Sequence, residues 1–205
     1  MTVKEAIIVV DDDHAVRDSL QSLLETAGFP VRLYGSAAAF LADCPAGEQG
    51  CLLLDVQMPD MDGLTLQQMV RTGWPRLAVV VMTGHGDVPI AVRAMKSGAV
   101  DFIEKPFHHE VLLEVIRHAI EHSRQVAKEV AETDELAAKL RLLSKREREV
   151  LDGLVAGLPN KTIAYDLGVS PRTIEIYRAR LMDKMQARTL PELVRLATTA
   201  GIRPK

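Results

Sequence analysis

Short apolar runs alternate with segments of helical periodicity over roughly the first 122 residues. There are five such runs, of which the first, third and fourth contain only apolar residues, a pattern typical of strands buried on both faces of a parallel sheet. These runs cover residues 6–10, 31–34, 52–54, 77–82 and 100–103. Each is followed by a segment with apolar residues at helical spacing. The pattern therefore predicts five βα units and an α/β domain with helices on both faces of the sheet.

Residues 110–140 contain neither proline nor glycine. Apolar residues at helical spacing first continue the last helix of the α/β domain and then become sparser among charged residues. We predict one continuous helix, which could also form a weak dimer contact. A break near Thr133 with a second helix, or a flexible connector, remains an alternative. The chain is therefore divided into an α/β domain at 1–122, a helical linker at 123–140 and a second domain at 141–205.

Four short helices are predicted in the second domain from their start and stop signals. The predicted N-terminal signals are, in order, a Ser144/Glu147 capping box, Asn160, Ser170 with Pro171, and Thr189 or Leu190. Only Gly168-Val-Ser170 separates the second helix from the third. This short turn predicts a helix-turn-helix, whose second helix normally enters the major groove of DNA.

The third of these helices has two different faces. One face carries apolar core positions at a spacing of three to four residues. The other carries arginine and lysine, which suit phosphates, beside Glu, Thr and small apolar groups, which suit base edges. We predict DNA contacts from Arg172, Thr173, Glu175, Ile176, Arg178, Ala179, Arg180 and Lys184. The alternative is a merely solvated basic face.

Charge separates the two domains further. The whole chain has a net charge of −3, but residues 1–124 carry 10 Lys/Arg against 17 Asp/Glu, and residues 141–205 carry 13 against 7. A basic small domain is compatible with nucleic acid. The opposite net charges, −7 and +6, also raise the hypothesis that the domains dock and inhibit one another.

Other compositional features exclude several classes of protein. Cys44 and Cys51 show no spacing suited to zinc, and both are expected to be reduced. The N-terminus does not resemble a signal peptide, and no apolar run approaches the ~18 residues of a membrane span. A cytoplasmic protein without membrane contact is expected.

The candidate chemistry lies directly after the predicted strands. Asp11 and Asp12 follow the first strand, Asp55 the third, Thr83 the fourth and Lys105 the fifth. Because the carboxyl ends of parallel strands meet at one edge of the sheet, we expect these groups to converge. Three close carboxylates favour a divalent cation, and Mg²⁺ prefers oxygen ligands.

This set of groups fits phosphoryl transfer to a carboxylate. With a metal bound by its neighbours, one aspartate is free to accept a phosphoryl group as an aspartyl-phosphate. A metal ion and a lysine stabilise the charge on the transferred group, and the Thr83 hydroxyl can donate to one of its oxygens. Asp55 is the predicted acceptor.

Residues 4 to about 122 resemble the receiver domain of the CheY-like response regulators. The resemblance rests on Asp11-Asp12, on Leu-Leu-Leu-Asp55-Val-Gln-Met-Pro, on Thr83 and on Lys105-Pro106. It implies a flavodoxin-like sheet of order 2-1-3-4-5, Mg²⁺ bound by Asp11 or Asp12, by Asp55 and by the backbone carbonyl of Gln57, and a cis Lys105–Pro106 bond. It also implies that Phe102 is a switch aromatic, for which the alternative is a core phenylalanine. Asp13 is given no essential role.

Two further motifs are closer to one subgroup of these regulators. Gly84-His-Gly-Asp-Val-Pro89 and Val100-Asp-Phe-Ile-Glu-Lys-Pro-Phe107 resemble the FixJ subgroup. That resemblance implies dimerisation on phosphorylation through the fourth helix and fifth strand, about residues 88–104.

Residues 141–205 resemble the LuxR-type DNA-binding domain. The match is carried by Leu143-Ser-Lys-Arg-Glu-Arg-Glu-Val-Leu151, by Asn160-Lys-Thr-Ile-Ala164 and by Val169-Ser-Pro-Arg-Thr-Ile174, and it adds Lys161 to the predicted DNA contacts. The order of the two domains is that of FixJ-type regulators. The resemblance to this subgroup implies control of nitrogen-fixation genes downstream of an oxygen-sensing, FixL-like histidine kinase.

We therefore predict a two-component response regulator that is phosphorylated on Asp55, dimerises, binds double-stranded promoter DNA and activates transcription with RNA polymerase. Two alternatives remain. A phosphorylation-independent DNA-binding regulator is disfavoured by the complete set of acids with Thr83 and Lys105. An aspartyl-phosphate phosphatase is disfavoured because such enzymes have an Asp-x-Asp motif whose second aspartate is the general acid. In this chain the corresponding residue is Gln57. No conventional enzyme activity is expected beyond autodephosphorylation.

Overall fold

The computed structural model describes residues 5–59, 61–84 and 88–202. The chain forms two compact units, Met1–Lys128 and Glu129–Lys205. Of the Gly84–Pro89 motif, His85, Gly86 and Asp87 lie outside the described residues.

A five-stranded parallel sheet forms the centre of the first unit. The strands are β1 (Ala6–Val10), β2 (Val31–Tyr34), β3 (Gly50–Asp55), β4 (Leu77–Thr83) and β5 (Asp101–Glu104). Their order is β2-β1-β3-β4-β5, with every neighbouring pair parallel. The predicted fold class and strand order are confirmed. All residues of β1, β3 and β4 are buried, as their uninterrupted apolar sequences predict.

Five helices connect or follow the strands of this sheet. They are α1 (His14–Thr26), α2 (Ala37–Asp43), α3 (Gly63–Gly73), α4 (Val88–Lys96) and α5 (His109–Arg141). Side chains at the N-caps of the first three accept backbone N–H groups, at Asp13, Ser36 and Asp62. Asp13, which is given no essential role in the predicted chemistry, is thus the N-cap of α1.

The sheet separates two apolar layers. Phe40, Leu52 and Leu66 are buried in the layer that contains α2, α3 and α4. Leu24, Leu53 and Ile116 are buried in the layer that contains α1 and α5. Successive residues of β3 thus enter opposite layers, as the two-residue period of a strand requires.

Helix α5 runs without interruption from His109 to Arg141, which agrees with the predicted continuous helix. Thr133 does not cap a second helix, since its hydroxyl donates to the Glu129 carbonyl at 2.9 Å inside α5. Leu136 is buried in the apolar core of the second unit. Ser123 is buried in the first unit, where its hydroxyl accepts from Gly50 N at 3.0 Å and donates to Arg76 O at 2.6 Å.

The second unit contains four shorter helices after the end of α5. They are α6 (Lys145–Val155), α7 (Asn160–Leu167), α8 (Pro171–Met185) and α9 (Leu190–Thr199). The Ser144/Glu147 capping box and the Ser170 and Thr189 N-caps are confirmed. The Asn160 cap is wrong, because α7 starts at Asn160 and its N-cap is Pro159. The Asn160 side chain instead accepts a hydrogen bond from Arg178.

Among the described residues, no helix combines the length and the hydropathy that crossing a bilayer requires.

Candidate functional site

The carboxyl ends of β1, β3, β4 and β5 bring the predicted polar groups to one edge of the sheet. Asp11 is fully buried, and Asp55 and Thr83 are 7% and 3% exposed. Asp12 is exposed. Lys105 directly follows β5, and its backbone N–H donates to the Thr83 carbonyl at 2.8 Å. Residues separated by up to 94 positions along the chain therefore form one site.

The Lys105 ammonium joins two of the carboxylates. Its Nζ donates to Asp11 Oδ2 at 2.7 Å and to Asp55 Oδ1 at 3.0 Å. The Lys105–Pro106 bond is cis, as predicted. The ammonium lies beside the proposed nucleophile, where negative charge would develop during transfer of a phosphoryl group.

Burial raises the pKa of Asp55 above its usual value. The hydrogen bond and positive charge of Lys105 oppose this effect, and the charges of Asp11 and Asp12 add to it. Burial acts on Lys105 in the opposite direction, but its two carboxylate partners outweigh burial and raise the pKa of the ammonium. The site thus combines a poorly solvated carboxylate with a firmly cationic lysine.

Three features hold the acidic groups in place, and none of them was identified from the sequence. Asp11 Oδ1 accepts from Asp13 N at 2.9 Å, and the Asp11 carbonyl accepts from Arg17 Nη1 at 2.7 Å. Gly63 begins α3 against β3, where a Cβ would overlap the carbonyl oxygen of Asp55. Gly63 could have been suspected as a close-approach glycine, whereas nothing in the local pattern distinguishes Arg17 from a surface arginine.

Asp11, Asp12 and Asp55 suit a hard divalent cation. Each offers a carboxylate oxygen, and these oxygens lie within 4.8 Å of one another. Three carboxylates beside one ammonium leave an excess of negative charge, and oxygen donors are the ligands that Mg²⁺ prefers. The residues present therefore fit the predicted ion. Gln57, whose carbonyl is the other predicted ligand, is exposed and lies two residues after Asp55 in the loop that follows β3.

Apolar side chains on α4 and β5 form an exposed surface. Val88, Val92 and Met95 of α4 are 69%, 47% and 43% exposed, and Phe102 of β5 is 42% exposed. We call these four residues the α4–β5 surface. The alternative of a buried core phenylalanine at position 102 is excluded. A group of exposed large apolar side chains is typical of an interaction surface.

Helix α8 presents the predicted DNA-contacting residues on one side. Ile174, Leu181 and Met185 are buried on the other. Arg172, Glu175, Ile176, Ala179 and Arg180 are exposed, as is Lys161 of α7. Thr173 is partly buried, and its hydroxyl lies 2.9 Å from the Ser170 hydroxyl. Gly168 ends α7 in the left-handed conformation, at φ 65°, which closes the turn between the two helices.

Two basic side chains of α8 have partners within the second unit. Arg178 Nη1 donates to Asn160 Oδ1 at 3.0 Å and so links α8 to the first turn of α7. Lys184 Nζ donates to Glu147 Oε2 at 2.7 Å and to Leu142 O at 3.1 Å. These bonds give both residues a structural role that helical periodicity alone did not reveal, and they distinguish Arg178 and Lys184 from Arg172 and Arg180.

Two protein families match different parts of the chain. Residues 7–117 match the response regulator receiver domain, and residues 141–197 match the bacterial regulatory proteins of the luxR family. The first of these matches covers more than half of the chain.

Several proteins are similar over nearly the full length. The transcriptional regulatory protein FixJ of Bradyrhizobium diazoefficiens is 51% identical over 202 residues, which cover 98% of each chain. FixJ of Rhizobium meliloti is 50% identical over 96% of each chain. Among solved structures, the response regulator StyR aligns with a TM-score of 0.81 at 37% identity, over 96% of this chain and 99% of StyR. The chain belongs to the FixJ-type two-component response regulators, with a receiver domain followed by a LuxR-type DNA-binding domain.

Proposed function

We propose that Asp55 accepts a phosphoryl group from the phosphohistidine of a FixL-like sensor histidine kinase, and that phosphorylation produces a dimer that activates transcription. The observation that carries this proposal is the placement of the Lys105 ammonium between Asp11 and Asp55, with the Asp12 carboxylate nearby. A solvated cluster of surface acids would not require a largely buried lysine at its centre.

In the proposed transfer, an Asp55 carboxylate oxygen attacks the phosphorus atom. A P–O bond forms, the P–N bond breaks, and its electron pair returns to the imidazole of the kinase. Lys105 compensates the negative charge on the transferred group, and the Thr83 hydroxyl donates to one of its oxygens. Mg²⁺ held by Asp11, Asp12, Asp55 and the carbonyl of Gln57 would supply further charge compensation.

A neighbouring groove is suited to binding of the kinase. It has a volume of about 520 Å³ and is mostly apolar, with Val16 and Leu20 of α1 on one side and Pro106 and Phe107 on the other. Lys105 lines this groove and also contacts Asp55. A kinase segment bound in this groove would lie next to the phosphoacceptor, so we propose that the kinase binds there.

The α4–β5 surface is the proposed dimer interface, within about residues 88–104. Thr83 and Phe102 would connect it to Asp55, because Thr83 pairs with Glu104 in the sheet and Phe102 lies two positions earlier. A new bond from Thr83 to the phosphoryl group would shift the equilibrium of a bistable surface. Burial of Val88, Val92 and Met95 against a second copy would then stabilise the dimer.

The proposed output is binding of the dimer to a two-fold site in promoter DNA through α8 and Lys161. Activation with RNA polymerase and control of nitrogen-fixation genes are proposed from the similarity to FixJ. Turnover of exogenous phosphoesters is not part of the proposed function, since Gln57 stands where a second catalytic acid would be needed.

The first experiment measures the molar mass of the protein in solution, with and without Mg²⁺ and beryllofluoride, a phosphoryl mimic. The unmodified chain should double in mass only with both additives, and Asp55→Asn should remain a monomer. Val92→Glu should bind the mimic but remain a monomer, because dimerisation would bury an unpaired carboxylate. An equal response of the unmodified chain and Asp55→Asn would refute the proposed switch.

A further inference from the structure

The turn between β1 and α1 carries two of the three acids of the proposed metal site, and the two are held differently. The backbone N–H of Asp11 donates to the Tyr34 carbonyl at 3.2 Å, and its carboxylate accepts from Lys105 at 2.7 Å. Asp12 is exposed, and its carboxylate has no hydrogen-bond or ion-pair partner among the described residues. The position of the Asp12 carboxylate therefore depends on the backbone that carries it.

Arg17 of α1 contacts this backbone directly. Its Nη1 donates to the Asp11 carbonyl at 2.7 Å. That carbonyl and the backbone N–H of Asp12 belong to one planar peptide group, so a hydrogen bond to the oxygen fixes the orientation of the whole plane. The orientation of the plane determines where the Asp12 Cα lies and in which direction its side chain extends.

Gly35 leaves room for the Arg17 guanidinium. It directly follows β2, which is the neighbour of β1 in the sheet. A Cβ at position 35 would lie 3.5 Å from Cζ of Arg17 and 3.6 Å from both of its terminal nitrogens, so the guanidinium plane faces this position. Arg17 is half-buried and has no ion-pair partner within the part of the chain that the structure describes. Its place is therefore set by the Asp11 carbonyl and not by a carboxylate.

We propose that Arg17 is a positioning residue for the metal site, and that it increases the affinity for Mg²⁺ by holding the peptide group between Asp11 and Asp12. The inference rests on the proposed metal site. Arg17 does not itself coordinate the ion. Without its hydrogen bond, the Asp12 carboxylate would have to be ordered when the ion binds, at a cost in conformational entropy. Loss of a group that orients a metal ligand costs about 10- to 100-fold in metal affinity.

The positive charge of Arg17 acts in the opposite direction. A guanidinium close to the site repels a divalent cation, so removal of the charge alone should strengthen Mg²⁺ binding. Removal of a positioning residue should weaken it. The sign of the change in affinity therefore distinguishes the two effects.

The test is a titration of the full-length, unphosphorylated protein with MgCl₂, in which the backbone amide signals of Asp12 and Val56 are followed by NMR. Arg17→Met removes the donor and the charge, and the dissociation constant should rise about ten-fold. This variant should fold, because the buried residues of α1 are Leu20 and Leu24, and denaturant unfolding without Mg²⁺ checks that it does.

Two further variants serve as controls. Arg17→Lys keeps a charged donor on a long side chain, so its affinity should stay within about three-fold of that of the unmodified chain. Arg117→Met removes the same charge from an exposed position on α5 and should leave Mg²⁺ binding unchanged.

A double-mutant cycle tests whether Arg17 acts through Asp12. Asp12→Asn should weaken Mg²⁺ binding by itself, because it removes one of the proposed ligands. If Arg17 orients the Asp12 carboxylate, Arg17→Met should change the affinity less than about three-fold in the Asp12→Asn background. A general distortion of the receiver unit would weaken binding equally in both backgrounds.

Two results would overturn the proposal. The first is Mg²⁺ binding by Arg17→Met that equals or exceeds that of the unmodified chain, and the second is an equal loss of affinity in both backgrounds. If Asp12→Asn still weakens binding, the proposed metal site stands and only the role of Arg17 fails. If the unmodified chain shows no saturable response, or neither Asp12→Asn nor Arg17→Met changes it, the proposed metal site fails as well.

Discussion

The phosphoacceptor site and the DNA-binding face are built in opposite ways. In the receiver unit, Asp11, Asp55 and Lys105 come from distant parts of the chain and meet at a largely buried edge, where each is held by another. On α8, Arg172 and Arg180 come from a single helix and are exposed. The first site depends on the geometry of the sheet, and the second depends on helical periodicity. Substitutions should therefore have different consequences in the two regions.

The largest effect is expected at the phosphoacceptor. Asp55→Asn removes the nucleophile and should abolish labelling by a small-molecule phosphodonor. Asp12→Asn retains the nucleophile and removes one predicted metal ligand, so labelling should become slower, on the order of 100-fold, but should still occur. Time courses of phosphoprotein formation distinguish the two. Full labelling of Asp55→Asn would contradict the assignment of the acceptor.

On α8, substitution of an exposed basic residue should affect DNA binding, whereas substitution of a basic residue with a partner inside the unit should affect stability. Arg180→Ala should weaken DNA binding about ten-fold and leave stability unchanged, because the side chain is exposed. Lys184→Met should instead destabilise the second unit by about 2 kcal/mol, because it leaves the buried Glu147 carboxylate without its ammonium partner.

Fluorescence anisotropy with a DNA duplex and denaturant unfolding, applied to both variants, would separate these effects. A ten-fold loss of affinity with unchanged stability for Lys184→Met would instead support the predicted DNA contact at this position.

Glu147 also gives the second unit a pH dependence. Burial alone would raise its pKa, but the hydrogen bonds from Lys184 and Ser144 outweigh burial and lower it. The folded state therefore favours the ionised form. This contribution to stability is present above the ordinary pKa of 4.5 and is lost as the pH falls through the lowered value.

Denaturant unfolding, monitored through amide signals of α8, should show that the second unit of the unmodified chain loses stability at acidic pH. Glu147→Gln should be less stable at neutral pH and should show less of the acid-dependent decline. Parallel pH profiles for the two proteins would argue against the Glu147–Lys184 pair as the cause.

The smallest effect is expected at Ser123 of α5, which in the receiver unit contacts the start of β3 rather than the end that carries Asp55. Its hydroxyl joins Gly50 N to Arg76 O, and Ser123→Ala would leave both backbone groups without this partner. The receiver unit should lose about 1–2 kcal/mol of stability, measured by denaturant unfolding, while phosphorylation continues. Unchanged stability would indicate that water replaces the hydroxyl.

Much of this molecule could be predicted because its signals are local. The apolar runs identified all five strands. The N-cap residues Ser144, Ser170 and Thr189 identified helix starts that the structure confirms. Asn160 shows where local reasoning failed. It is a good N-cap residue, but Pro159 takes that position and the Asn160 amide binds Arg178 of another helix.

The sequence alone determined the kinds of element, their order and the chemical groups available at the strand ends. These features depend on the spacing of apolar residues and on the residues that directly follow each strand, and both are local properties of the sequence. Tertiary structure decided which groups meet. It placed Lys105 between Asp11 and Asp55, paired Lys184 with Glu147, and left Gln67 Oε1 without a partner among the described residues. Such contacts join residues on different elements, and the free energy of each depends on burial and distance, which no local pattern contains.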